Sequence, residues 1–425
     1  MRNHPLRFYG LFLGALCLCT LSEAKETKVD QALKTIREAE SVTSGAVGEA
    51  GIKTAGYAAY EVVTKQATRE QLLACVLDEN VNLRAYAAMA LKERFPREDF
   101  FELLMEKLKD ESEFEYRNGC IGYRMKIGDL YHQTLIDSLS IDHQVAVIDH
   151  LLTTENKLTA TDLVLRESDI PERHLPRLRT LAAAGNGSAL LAVAKFRRDE
   201  DKPLIIASVK AHPFECFRCI AMNPQPEYFK VLQEAQQALL AETAWSTTQR
   251  EFYTAAAAYR NKDSVDLFEK VVNGTDQEIP MRSYHLDFIV SAINAIEEPV
   301  YDELKWRLWG ELQRINLSNF KRLVALDETR ALKLTRQTLD SLSREVSNEV
   351  LLAMFALISP KDPNYVDGVI ANELGKCELT RYSFLADIAT KNPKDAYIEP
   401  LFKAVETSDN PWVYLPATET LVSYK

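Results

Sequence analysis

Four blocks of this 425-residue chain repeat one pattern: FPREDFFELL (95–104), NPQPEYFKVL (223–232), SPKDPNYVDGVI (359–370) and NPKDAYIEPLF (392–402). Each runs from a proline through a short polar spacer with acidic residues to an aromatic, then to apolar positions. Proline suits the first turn of a helix, where its missing N–H has no intrahelical partner, so each block predicts a helix start. Pro360 and Pro393 lie 33 residues apart, which leaves room for that helix, a polar turn and a second helix. DENVNLRAYAAMAL (78–91) is such a second helix: an aspartate, an apolar residue with arginine, then small residues, at Asp78, Leu83, Arg84, Ala87 and Ala90.

The arginines keep the same beat. Asp78 precedes Leu83-Arg84, Asp110 precedes Tyr116-Arg117, and Asp276 precedes Met281-Arg282; Phe217-Arg218 and Thr380-Arg381 sit at comparable points. The arginine intervals are 33, 101, 64 and 99 residues, close to one, three, two and three times 33. A unit of that length is a helical hairpin, which cannot bury its apolar face alone, so neighbouring hairpins stack and share a core. Low counts of 15 glycines and 16 prolines, long amphipathic runs such as DFFELLMEKLKDE, and few period-two segments predict a nearly all-α chain. At this length it also exceeds what one compact core supports.

The aspartate, apolar-arginine and small-residue pattern resembles the HEAT-repeat family, including the HEAT-like repeats found in phycobilisome lyases. The resemblance is fullest over 68–127 and 347–425, partial over 200–295, and thin over 130–195 and 300–345. It implies an all-α α-solenoid of stacked antiparallel helical hairpins, about eleven or twelve pairs, over residues 25–425. It also implies a ladder of hydrogen bonds between successive repeats. Asp78, Arg84, Asp110, Arg117, Arg218, Asp276, Arg282 and Arg381 would build that ladder, so Arg84 tethers neighbours rather than touching a substrate. At Asp409-Asn410-Pro411-Trp412-Val413-Tyr414 the pair is missing, and a hairpin without a rung is expected.

The first 24 residues read as an export signal. Arg2 and Arg7 form a positive start, LFLGALCLCTL (Leu11 to Leu21) an apolar run, and Ser22-Glu23-Ala24 a small-residue cleavage site. Eleven apolar residues fall short of the roughly 20 that cross a hydrocarbon core. Cys17 and Cys19 each follow leucine, where lipidation needs a small residue. The mature chain is expected to begin at Lys25, to be periplasmic or secreted, and to hold no integral membrane segment. The full chain carries 51 basic and 62 acidic residues; without Arg2, Arg7 and Glu23 it keeps 49 and 61, a net charge of −12. That charge repels nucleic acid and anionic membrane surfaces.

Cys216-Phe217-Arg218-Cys219 beside His212 is the sharpest chemical signal, a dithiol or half a metal site. Its placement after Pro213 in a helical repeat, with no second ligand pair, points to a structural role. Cys120, at the position matching Ala87, and Cys75 in LLACVL read as core. GEAGIKT (48–54) has Lys53 one residue late for a phosphate loop, so its glycines are expected to permit close helix packing. His132, His143 and His150 share no ligand spacing, and Trp306 and Trp309 read as one buried face. No catalytic residue, metal or cofactor is predicted.

These features lead to an exported scaffold that binds a protein or peptide on a curved surface. Lys92, Asn118, Met125, Ser283, Asp287 and Tyr382, on the outward side of the arginine helices, are its candidate binding residues. An immunity-type inhibitor of a toxic periplasmic enzyme is an alternative that the acidic charge suits. An enzyme, lyase-like or thiol redox through Cys216 and Cys219, is another.

Overall fold

Polar side chains that satisfy the free N–H groups of a first turn set many of the helix starts. Thr27, Thr68, Ser246 and Asn261 do so within reciprocal capping boxes. The computed structural model describes residues 27–294, 296–342 and 344–424, so the expectation of an export signal over residues 1–24, with Cys17 and Cys19, lies outside the described residues. The described chain is mostly helical, with 24 α-helices and three strands. No helix among the described residues is long and apolar enough to cross a membrane. The fold divides into two compact units, one ending at Val164 and one starting at Leu165.

In the first unit the order is α1 (Lys28–Glu38), β1 (Val42–Val47), α2 (Ala55–Gln66), α3 (Arg69–Val76), α4 (Val81–Arg94), α5 (Phe101–Lys107), β2 (Glu113–Gly119), β3 (Ile121–Lys126), α6 (Ile127–Leu135) and α7 (Ile141–Thr153). Then α8 (Thr159–Glu167) crosses the division. Helix α4 packs against α1, α2, α3 and α6. Its alanines make this possible: Ala85, Ala87, Ala88 and Ala90 are all buried, so neighbours approach from several sides.

Residues 113–126 correct the expectation of a second helix around Arg117. They form a hairpin, with Phe114 opposite Met125, Tyr116 opposite Tyr123 and Asn118 opposite Ile121. Strand β1 adds in parallel to β2, Val42 opposite Tyr116. The cause is period two: Phe114 and Tyr116 face inward while Glu113, Glu115 and Arg117 are exposed. Gly119, at φ +58°, supplies the left-handed residue of the turn. Cys120 sits in that turn and is exposed, not core. The glycines of GEAGIKT likewise serve a turn rather than helix packing, with Gly48 at φ +71°, Gly51 at φ +60° and Ile52 bridged back to Val47.

His132 lies inside this unit, 4% exposed, and neither ring nitrogen has a hydrogen-bond partner. Burial holds its pKa below the ordinary value, against the opposing pull of Asp129 and Asp137. As the pH falls below about 6.5 the unfolded chain takes up the proton first. The stability is therefore complete above that pH and is lost as pH falls through the lower folded-state pKa. Urea midpoints should drop between about pH 7.5 and about pH 5, and His132→Leu should shrink the drop. An unchanged slope would show that other groups carry the acid sensitivity.

The second unit continues with α9 (Leu175–Ala183), α10 (Gly187–Lys195), α11 (Lys202–Ala207), α12 (Pro213–Met222), α13 (Pro226–Leu240), α14 (Thr247–Ala257), α15 (Lys262–Asn273) and α16 (Arg282–Ala292). It ends with α17 (Asp302–Leu312), α18 (Leu317–Leu326), α19 (Glu328–Ser341), α20 (Asn348–Ile358), α21 (Pro363–Lys376), α22 (Tyr382–Lys391), α23 (Ile398–Thr407) and α24 (Pro411–Ser423). Helices α10, α12, α14 and α16 pack one on the next, as do α21 with α23 and α22 with α24.

The block prolines divide into two kinds. Pro226 and Pro363 occupy the first turn of α13 and α21; Pro96, Pro360 and Pro393 lie in the turns before α5, α21 and α23. In the last two blocks the aromatic reaches backwards. Tyr365 Oη donates to the Arg336 carbonyl at 3.1 Å and the Asp340 carboxylate at 2.6 Å, and Tyr397 Oη to Asp367 at 2.7 Å. Tyr259 and Tyr424 do the same to the carbonyls of Gln225 and Ala389, at 2.7 and 2.9 Å. Each bond spans 25–35 residues, so these tyrosines tie one helix pair to the preceding one.

Candidate functional site

The two arginines that head the sequence pattern part company. Arg84 is 11% exposed in its side chain, donates to the carbonyls of Asp78 and Glu79 at 2.8 and 3.0 Å, and pairs with Asp110 at 3.1 Å. Asp78 in turn pairs with Arg37 at 2.8 Å. Arg37, Asp78, Arg84 and Asp110 thus form a continuous polar chain linking α1, the α3–α4 turn and the α5–β2 turn. Arg117 does not join it: on β2 it is exposed and paired with Glu115 at 2.8 Å.

Elsewhere the pattern residues act singly. Arg282 donates to the carbonyls of Val271 and Val272 at 2.9 and 2.8 Å, closing the end of α15, with Asp276 only 3.5 Å away and exposed. Arg381 donates to the Val346 carbonyl at 2.6 Å. Arg218 is exposed and lies over the Phe214 ring, so it is no rung. Aspartate–arginine pairs between helices do occur in this unit, at Arg179–Asp201, Arg322–Asp302 and Arg336–Asp362, 2.6–2.9 Å apart. The sequence pattern did not select them, since their spacing follows packing rather than a fixed interval.

The candidate binding residues have different settings within each unit. Tyr382 is 1% exposed, so it belongs to the core rather than to an outward surface; it opens α22, whose buried face is Tyr382, Leu385, Ala386 and Ala389. Lys92 donates to Ser138 Oγ at 2.6 Å. Asn118 and Met125 lie on the hairpin strands. Ser283 and Asp287 do come together, through Arg314, which donates to Ser283 Oγ at 2.8 Å and Asp287 at 3.0 Å and also pairs with Glu345. Burial raises the Asp287 pKa while Arg314 opposes the shift. This cluster is consumed by its own ion pairs and clamps α16 to the residues that follow α17 and α19.

Cys216 and Cys219 are both buried thiols, donating to the carbonyls of Ile205 at 3.4 Å and Leu190 at 3.6 Å. Burial pushes the Cys216 pKa up to about 12 and raises that of Cys219 further above the ordinary thiol value. Both are held as thiols, the unreactive form. No cluster of three or more metal-ligating side chains occurs among the described residues.

A concave feature of the second unit lies beside this motif. Helix α11 has only six residues and gives way to a tight turn at Ser208–Lys210, whereas α13 runs for 15 residues. The two stand apart and leave a trough of about 860 Å3, open to solvent. Phe217 of α12 forms its floor, fixed edge-on against Phe252 at 5.5 Å. On α13, Val231, Ala235 and Ala238 line one wall at intervals of four and three, which is one face of a helix, and Glu242 continues that wall in the turn after it. Because two of these are alanines, the wall is low and the space remains open.

The charged groups are few. Lys210 stands on one side; Glu234 and Glu242 are on the other. Glu234 is exposed, 3.6 Å from Lys230, and Glu242 accepts from Gln249 Nε2 at 2.9 Å. Trp245, next to the lining residue Ser246, leaves 56% of its surface in solvent. Of the trough residues, the sequence singles out by name only Phe217, in the arginine pattern and the cysteine motif, and Pro213, which precedes that motif, neither of them as part of a cleft. The available signal was QEAQQALLAETAW, in which small residues recur on one helical face and end in a solvent-facing tryptophan.

No family model, curated protein or solved structure matches the chain.

Proposed function

We propose that this chain is an exported α-solenoid of HEAT-like hairpins whose trough between α11 and α13 holds a segment of a protein partner. The trough carries the reading: its volume is that of a binding cleft, its lining is mainly apolar, and Trp245, one residue before the lining residue Ser246, is exposed. Tryptophan is among the residues that most often anchor interfaces. The solenoid is supported by the next-but-one packing of α10, α12, α14 and α16 and by tyrosine bonds reaching back about one helix pair. Export is supported by the basic start, apolar run and small-residue site of residues 1–24. Mass spectrometry of the envelope form should find Lys25 first; an intact Met1 would remove the cleaved export signal from the proposal, and a lipid on Cys17 or Cys19 would replace the start at Lys25 with a lipid anchor.

The binding role is tested by immobilising the mature chain, passing envelope extract over it, and comparing it with Ala238→Trp. Ala238 is exposed on the trough wall, so the larger side chain fills the space without disturbing the core. The partner retained by the native chain should be reduced about tenfold on the variant, the scale of losing one well-placed interface anchor. Equal retention would place the partner elsewhere and sink the assignment of the trough.

A further inference from the structure

The dimensions and charge of the trough narrow the kind of segment it takes, an inference that rests on the binding role above. An α-helix about 10 Å across with a 5.4 Å pitch fills on the order of 420 Å3 per turn. A trough of 860 Å3 therefore takes about two turns fully seated, or about four turns of a helix seated to half its depth. The α13 residues that line the trough run from Val231 to Leu239, about two and a half turns, between those two limits. An extended strand fits less well, because the walls are helices whose backbone groups already bond internally, whereas a helix satisfies its own. The row Val231, Ala235, Ala238 on α13 offers the groove that side chains at i, i+3 and i+4 on an incoming helix fill.

Charge selects the other face. Glu234 and Glu242 flank that row, one lysine, Lys210, stands across from them, and the whole chain carries a net −11. We propose that the trough binds an amphipathic, cationic α-helix of the partner, its apolar stripe between α11 and α13 and its lysines or arginines toward Glu234 and Glu242.

The test uses the full mature chain and a fluorescent peptide of about 14 residues, four helical turns. Leucines form its stripe and lysines its opposite face, and anisotropy reads binding. Glutamate in place of the lysines should weaken binding about tenfold, and a central proline that breaks the helix should do the same. Ala238→Trp should weaken it about tenfold with the melting temperature unchanged, and Glu234→Lys about threefold, the scale of one exposed pair. Equal binding of lysine and glutamate peptides, undiminished binding to Ala238→Trp, or displacement of the peptide by decanoate would overturn the proposal, the last in favour of an alkyl ligand. If the native partner needs the trough but the lysine peptide does not compete with it, the cationic helix falls and the binding role stands. If the partner ignores the trough, both fall.

Discussion

Trp309→Ala should lower the stability of the second unit by about 4 kcal/mol, within the 3–5 kcal/mol that large aromatic deletions cost in a packed core. Trp309 is fully buried; it stacks on Trp306 at 5.9 Å with the ring planes 13° apart and meets Phe320 edge-on at 5.5 Å. Its Nε1 also donates to Thr338 Oγ1 at 2.9 Å, and Thr338 itself is fully buried. Truncation therefore opens a cavity and strands a polar atom together. Trp309→Phe separates the two effects, because it keeps most of the apolar bulk and loses the hydrogen bond, and should cost about 1–2 kcal/mol. Urea unfolding of both variants measures this. A loss below about 1 kcal/mol for Trp309→Ala would mean that the site relaxes to fill the space.

The second large effect is expected at Arg84. Its removal leaves the carbonyls of Asp78 and Glu79 without their donor and the Asp110 carboxylate, 19% exposed, without its cation. Breaking a mostly buried pair of this kind costs about 3 kcal/mol. Arg84→Lys should recover less than half of it, since an ammonium cannot span three acceptors as a planar guanidinium does. Hydrogen exchange should quicken in α3, α4 and the β2–β3 hairpin, and should stay unchanged beyond Leu165, where the second compact unit begins. Faster exchange spread over both units would show that the polar chain from Arg37 to Asp110 is not a local tether.

Helical character was legible because amphipathic spacing and capping residues agree at many positions, as at Thr68, Ser246 and Asn261. Arg84 and Asp78 stand out because they lie within one turn-and-helix segment, but Arg84 takes the Asp78 main-chain carbonyl and pairs its charge with Asp110, 26 residues on, which no local spacing joins to it. Arg37 was missed as the partner of Asp78, since that bond crosses 41 residues with no local signal. Helix ends were harder to read. Gln313, Leu342 and Cys377 take the left-handed conformation where glycine usually marks a stop. The hairpin at 113–126 was misread because Tyr116-Arg117 matched the interval of the helical arginines, while the alternation of Phe114 and Tyr116 with charged neighbours carried the decisive period. The trough was hidden for a different reason. It arises from what α11 and α13 leave unfilled, and small residues on an exposed helix face look the same in sequence whether the space beside them is open or occupied.

The most direct measurement is site-specific crosslinking of the exported chain in its own envelope. A photoreactive side chain is placed at position 238 in the trough, at 121 on the hairpin, or at 415 on α24, the last two being exposed apolar residues outside it. A partner helix held between α11 and α13 gives one crosslinked protein at 238, with the adduct on an apolar stripe flanked by lysine or arginine, and excess lysine peptide suppresses it. A partner that crosslinks at 121 or 415 and not at 238 would contradict the assignment of the trough as the binding site.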